Sequence, residues 1–365
     1  MPSAQVMKPS AVDPRDNAGC SYSAGTEGDD AALPSTSEYL KSLPAENLEP
    51  LWSRMDAMVP RAPNPVAKPH VWKFKNTLPL LSTAGRLVSE EQAERRVLML
   101  VNPSMNVIYS AFNAPVSGCI LTDFHCAGAP HTTDTIYGGL QLVNPGETAP
   151  AHRHMAYACR FIISGQGFTA VEGTRLPLKR GDVVITPSWH WHDHGNESKK
   201  PVIWLDALNL PLFTFAKVHF AENYPEKRYP STSGGSSEWH HPWETTQRAL
   251  DAMPGLHATY HYETTDGEPL STTLGVQAER VNVGVTTDVT QDTRSFIYHC
   301  YQGQGCSVIE SPSGAKEQLD WETADTFVVP AWSKVQHVNR GADAAYLVAI
   351  HDGPLLDRLG LRKKE

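Results

Sequence analysis

Apolar and polar positions alternate along most of this chain, and a period of two predicts strands. The clearest stretch runs from Arg160 to Gly173, with glycine turns at Gly165, Gly167 and Gly173, then a turn at Gly181-Asp182 and the run Val183–Thr186. The rhythm returns downstream. Arg294–Gly305 repeats the pattern of Arg160–Gly167, and Glu322–Trp332 repeats that of Lys179–Trp189. The N-terminal part differs: Leu40, Leu43, Leu48, Leu51, Trp52 and Met55 recur at helical intervals, and Pro44 and Pro50 divide them. Further helical pieces are expected over Asn76–Ala84 and Thr245–Ala252, and Glu94–Val101 reads as a strand that starts with Arg95 and Arg96.

Composition narrows the class. The chain has 365 residues, 40% hydrophobic and 19% charged, which fits a globular protein of about two domains. Its formal charge of −9 comes with no basic stripe, so a nucleic-acid partner is not expected. No apolar run reaches membrane-spanning length, and the N-terminus lacks the features of a secretory signal, so a cytoplasmic protein without a membrane partner is expected. Residues 1–35 are poor in large apolar side chains and are expected to be disordered. The six cysteines, at 20, 119, 126, 159, 300 and 306, form no CxxC pair and read as reduced thiols.

The histidines carry the chemistry. His152 and His154 are two apart and share one face of a strand, as do His190, His192 and His194. A hairpin between the two clusters would bring the late histidines beside the early pair. Three neutral imidazoles converging inside a β-barrel suit Fe, Zn, Cu or Ni. His152, His154 and His192 are the candidate ligands. An HxH pair alone is weak, but here Gly-x5-His-x-His (Gly146–His154) is followed by Gly-Asp-x4-Pro-x4-His-x3-Asn (Gly181–Asn196). Together these resemble the two-part cupin signature. A glutamate ligand usually follows the HxH in cupins; here the window holds Ala158, Cys159 and Arg160, so a site of three histidines is expected.

That departure, with Thr186-Pro-x-Trp-x-Trp-His-Asp-His-Gly-Asn196 and Trp204-Leu-Asp206, resembles the gentisate 1,2-dioxygenase family of bicupins, whose relatives cleave salicylate and 1-hydroxy-2-naphthoate. Pro50-Leu-Trp52, Pro69–Lys73, Glu94–Arg96 with Asn102-Pro103, and Phe327–Trp332 extend the resemblance over about residues 45–355. It implies a mainly β bicupin: two double-stranded β-helix (jelly-roll) barrels with N-terminal helices. The expected organisation is a tail over 1–35, a helical region over 36–95, a catalytic barrel over 96–225 with an insertion at about 104–134, a linker over 226–268 and a second barrel over 269–365. Strand-like pieces fall at Val107–Tyr109 and Cys119–Leu121, and His125 and His131 read as ordinary loop histidines.

The resemblance also implies a function. One Fe(II) per chain, held by His152, His154 and His192, would support cleavage of a small aromatic 2-hydroxy acid by O2, gentisate giving maleylpyruvate. Arg160 would pair with the substrate carboxylate or stabilise an anionic intermediate, a role suited to a buried Arg with no acid nearby. His194 and Asp206 would form an acid–base pair, and Arg95, Tyr137 and Gln141 would line the pocket. Tyr137 favours gentisate; Met155-Ala156, where relatives carry a polar pair, favours a different ring, such as salicylate, a substituted salicylate or 1-hydroxy-2-naphthoate. A non-catalytic metal-binding bicupin is the reading from another class. A homotetramer or homodimer is expected. Aligning the repeats places Thr290, Asp292 and Val335 where His152, His154 and His192 stand, and His337 where His194 stands, so the second barrel is expected to be structural.

Overall fold

The structure, a computed structural model, describes residues 35–105, 131–234 and 237–365, the side chains of Glu94 and Arg95 excepted. Residues 1–34 of the expected tail, most of the 104–134 insertion with its two strand-like pieces, His125, Cys20, Cys119 and Cys126 lie outside the described residues. The N-terminal unit contains a helix over Thr36–Ser42, opened by a capping box between Ser35 and Glu38. Short 3-10 turns follow, then the helical turn Met55–Met58.

Residues 61–365 form the second unit. Its first strands are β1 (His70–Trp72), β2 (Val97–Met99), β3 (Tyr137–Val143), β4 (Thr148–His154), β5 (Ala158–Ser164), β6 (Gln166–Val171) and β7 (Thr174–Lys179). They continue with β8 (Val183–Thr186), β9 (His192–Gly195), β10 (Val202–Leu208), β11 (Ala221–Asn223), β12 (Thr232–Ser233) and β13 (His240–His241). Two six-stranded sheets make the first barrel, in the orders β13-β8-β5-β10-β3-β2 and β11-β4-β9-β6-β7-β12. The second barrel uses β14 (His257–His261), β15 (Gly275–Val281), β16 (Thr290–Gln291), β17 (Phe296–Gln302), β18 (Gln304–Glu310), β19 (Lys316–Glu322), β20 (Thr326–Val329), β21 (Lys334–Asn339) and β22 (Ala345–His351). Its sheets run β1-β20-β17-β22-β15-β14 and β16-β21-β18-β19.

Four strands fall outside the barrel limits drawn from sequence. β1 precedes the first barrel yet pairs with β20 of the second, and β12, β13 and β14 lie within the expected linker, where they pair with β7, β8 and β15. Each covers a sheet edge that would otherwise leave backbone groups unpaired. The helices expected over Asn76–Ala84 and Thr245–Ala252 are longer, at Phe74–Leu87 and Trp243–Ala252. The strand expected over Glu94–Val101 is corrected: Glu90–Arg95 is a 3-10 helix and the strand is only Val97–Met99. Arg96 is the reason. Its buried guanidinium donates to the carbonyls of Val88 and Leu142 and pairs with Glu147, so it anchors the turn.

Three apolar clusters organise the packing. Phe161, Ile163, Leu205 and Leu140 of the first barrel meet Ile297, Val328, Val348 and Ile350 of the second in one cluster, so the two barrels pack sheet against sheet. Each fully buried side chain of this kind contributes about 1.5–3 kcal/mol. Ile162, Leu176, Leu178, Val184 and Trp204 fill the first barrel, and Phe296, Tyr298, Trp321 and Phe327 fill the second. Both Gly-x-Gly turns are sterically required. Gly165 and Gly303 have φ of +82° and +113°, and a Cβ on Gly167 or Gly305 would meet a carbonyl oxygen at 2.7 or 2.1 Å. Cys159, Cys300 and Cys306 are free thiols and buried, as expected for reduced cysteines.

Candidate metal centre and active site

Strand β4 carries His152 and His154 on one face, and β9 begins at His192 directly opposite His152. One ring nitrogen from each of these three histidines lies within 4.8 Å of the others; among the described residues this is the one cluster able to hold a metal. The Nδ1 atoms face the carbonyls of Pro150, Ala156 and His190 at 2.9, 2.7 and 2.9 Å. A carbonyl can only accept, so each Nδ1 carries the proton and each Nε2 is the unprotonated, basic nitrogen. His192 Nε2 is buried with no hydrogen-bond partner, an orphan that a metal would satisfy. Burial, reinforced by neighbouring imidazoles and Arg160, lowers the His154 pKa to about 3 and that of His192 well below the usual imidazole range. Neutral imidazole is the ligating form, and the donor set fits a divalent transition metal.

Beside this cluster lies a charged group. Arg160 on β5 stands opposite Asp206 on β10, and both are buried. Arg160 Nε is 2.9 Å from Asp206 Oδ1, but the two are not aligned as a hydrogen bond. Arg160 also donates to Thr186 Oγ1, and Trp204 Nε1 donates to Asp206 Oδ2 at 2.8 Å. Burial raises the Asp206 pKa while Arg160 pulls it down. Tyr137 sits near enough for burial and the Asp206 charge to raise its phenol pKa.

Two expectations from sequence are corrected here. Arg160 does have an acid beside it, because cross-strand register sets Asp206 opposite it. His194 is not paired with Asp206: its Nδ1 meets Thr169 Oγ1 at 2.9 Å, and Thr169 is its direct neighbour across the sheet. Gln141 is buried and its Nε2 donates to the Ala93 carbonyl. The side chain of Arg95 lies outside the described residues. His190 turns away from the cluster, with Nδ1 on the Ser188 carbonyl and its ring edge-on to Trp239. His131 is half-buried, and its buried Nδ1 has no hydrogen-bond partner. Thr186 and Trp204 stand in motifs of the sequence that assign them no contact, and no spacing marks Thr169; the partners of all three come from strand pairing.

The comparisons with known proteins agree with this geometry. A model of the cupin domain matches residues 139–208. Gentisate 1,2 dioxygenase 1 of Aquipseudomonas alcaligenes is 32% identical, with 88% of this chain and 94% of the relative covered. The 5-aminosalicylate 1,2-dioxygenase of a Comamonas species is 30% identical, with 87% of each covered. The crystal structure of salicylate 1,2-dioxygenase from Pseudoaminobacter salicylatoxidans with gentisate adducts superposes with a TM-score of 0.76 at 25% identity, over 93% of this chain and 96% of that one. Mainly β architecture, two cupin-like barrels and similarity at this level over most of both chains lead to one conclusion: the chain is a ring-cleaving dioxygenase that belongs to the gentisate 1,2-dioxygenase family.

Proposed function

We propose that this enzyme opens the ring of gentisate to give maleylpyruvate, using one Fe(II) per chain held by His152, His154 and His192. The observation that carries the reading is the Arg160–Asp206–Tyr137 group set beside a neutral three-histidine cluster. When bound, ferrous iron supplies the means to pass electron density from an electron-rich ring to O2. His152, His154 and His192 would hold the ion and would leave it open to the oxygens of an anionic substrate. The bond between the carboxylate-bearing and hydroxyl-bearing carbons breaks, and both oxygen atoms enter the product.

The protein supplies charge and orientation. Arg160 is already neutralised by Asp206, so it is held in place before substrate arrives and its remaining donors can meet an anion. Asp206 can accept a proton from a ring hydroxyl, with its pKa raised by burial. His194, held by Thr169, has its ring centroid 5.5 Å from that of His192 and is assigned with Asp206 to the acid–base step, and Tyr137, Gln141 and Arg95 are assigned to the substrate pocket. We read residues 96–225 as the catalytic barrel and 269–365 as a metal-free scaffold, and the enzyme as a cytoplasmic homodimer or homotetramer. Among the described residues, no helix is long and apolar enough to cross a membrane.

A second reading keeps the chemistry and changes the ring. The 5-aminosalicylate-cleaving relative is almost as similar as the gentisate-cleaving one, and Met155-Ala156 places apolar residues directly after the histidine pair. Oxygen uptake by the Fe(II)-loaded protein, offered gentisate, 5-aminosalicylate, salicylate and 1-hydroxy-2-naphthoate in parallel, separates the two. Rapid uptake with gentisate is expected. Uptake with another acid alone moves the substrate, and no uptake from protein holding one iron per chain overturns the function.

A further inference from the structure

We propose that Arg153 is a positioning residue for the metal centre: its guanidinium, held between the indoles of Trp189 and Trp191, locks the strand bearing two ligands to the loop that delivers the third. This rests on the three-histidine reading of the metal site. Arg153 lies between His152 and His154, so strand alternation sends its side chain to the opposite face. There its Cζ stands 4.3 Å from the ring centroid of Trp189 and 4.3 Å from that of Trp191. Glu222 on the neighbouring β11 accepts from Nε at 3.0 Å and from Nη2 at 2.6 Å. The indoles are themselves braced, Trp189 by Phe220 and Trp191 by Tyr224 and Tyr229.

The strand ladder alone does not set the ligand geometry. Pairing between β4 and β9 shifts register between Ala149 and His152, and the shift includes Pro150, which has no N–H to donate. Trp189 has φ of +64°, a left-handed conformation rare for a bulky residue, and its N–H reaches the His154 carbonyl at 2.9 Å. A planar cation stacked on two indoles holds such a loop better than a point charge does.

The second barrel supplies an internal control. Trp332 repeats Trp189, with φ of +59° and its N–H on the Asp292 carbonyl at 2.7 Å. Gln291 and Lys334 stand where Arg153 and Trp191 do, directly opposite each other across β16 and β21. The barrel that lacks the three histidines therefore keeps the strained tryptophan and lacks the clamp.

The test is titration of the metal-free full-length protein with Co2+, read by the visible absorption of the bound ion, for the parent, Arg153→Gln, Arg153→Lys and Glu222→Gln. Arg153→Gln, the second barrel's own residue, is expected to weaken binding about tenfold to hundredfold and to alter the cobalt band. Arg153→Lys should recover part of the loss. Parent-like affinity and band in Arg153→Gln overturn the proposal while leaving the metal site intact. If Arg153→Gln does not fold, Glu222→Gln decides: weakening of roughly two- to fivefold supports the clamp, and no weakening overturns it. A parent protein that takes up no cobalt overturns the three-histidine reading and the clamp with it.

Discussion

The first barrel brings His152 and His192 together across β4 and β9; at the same place the second pairs Thr290 with Val335 across β16 and β21. Much else is shared. Thr169 meets His194 in one barrel and Ser307 meets His337 in the other, at 2.9 and 2.7 Å. Arg160 faces Asp206 in the first; in the second, Tyr298 faces Ala349. Tyr298 then stacks on Phe327, which lies parallel to Trp321, while its hydroxyl donates to buried Glu279 at 3.0 Å, so an aromatic stack replaces the Arg160–Asp206 pair. The lesson is that turns, pairing and capping belong to the scaffold, whereas the chemistry resides in a few inward positions. Those positions can be exchanged for packing without disturbing the sheets.

The largest expected effect is from His192→Ala. Metal and oxygen uptake should be lost together, while Val335→His in the second barrel should leave metal content at one per chain, because Thr290 and Asp292 remain. Metal analysis giving two tightly bound ions per parent chain would break the comparison. Arg160→Ala comes next: turnover is expected to fall about 100- to 1000-fold with metal content near normal. Unchanged turnover would remove the arginine from the mechanism.

The third effect belongs to the second barrel. Trp321 is buried, with its ring parallel to Phe327 and its Nε1 donating to Ser307 Oγ, so Trp321→Ala should destabilise the protein by about 3–5 kcal/mol in urea unfolding. Metal affinity of the first barrel should stay near that of the parent; a large loss would show that the barrels are not separable in this way.

The smallest effect is on pH dependence. His154 and His299 have folded pKa values of about 3, below the ordinary 6.5, because burial disfavours the charged ring. The unfolded chain therefore binds more protons than the folded one below pH 6.5. Their contribution to stability is full above 6.5 and is lost as pH falls toward 3. The urea midpoint of metal-free protein should drop between pH 7 and 5, and His192→Val, which installs the second barrel's residue, should flatten that drop. A level profile in the parent would contradict neutral buried histidines.

Some of this was determined by the sequence alone. Period-two alternation, Gly165-Gln-Gly167 and its repeat Gly303-Gln-Gly305 specify strands and turns, because alternation and left-handed glycines act locally. The spacing of His152 and His154, with His192 after one hairpin, points to a set able to hold a metal for the same reason: a strand fixes which neighbours share a face. The repeat alignment also located the positions in the second barrel where those ligands are replaced. What only the tertiary structure decided lies across strands. Asp206 pairs with Arg160 rather than His194, Thr169 takes His194, and Arg153 finds two tryptophans, since register and side-chain reach select those partners and no local pattern encodes them. Arg96 likewise reads as a strand entrance until the fold surrounds it with carbonyls and Glu147. Burial then sets the charge states, because desolvation depends on everything packed around a group and not on its neighbours in the chain.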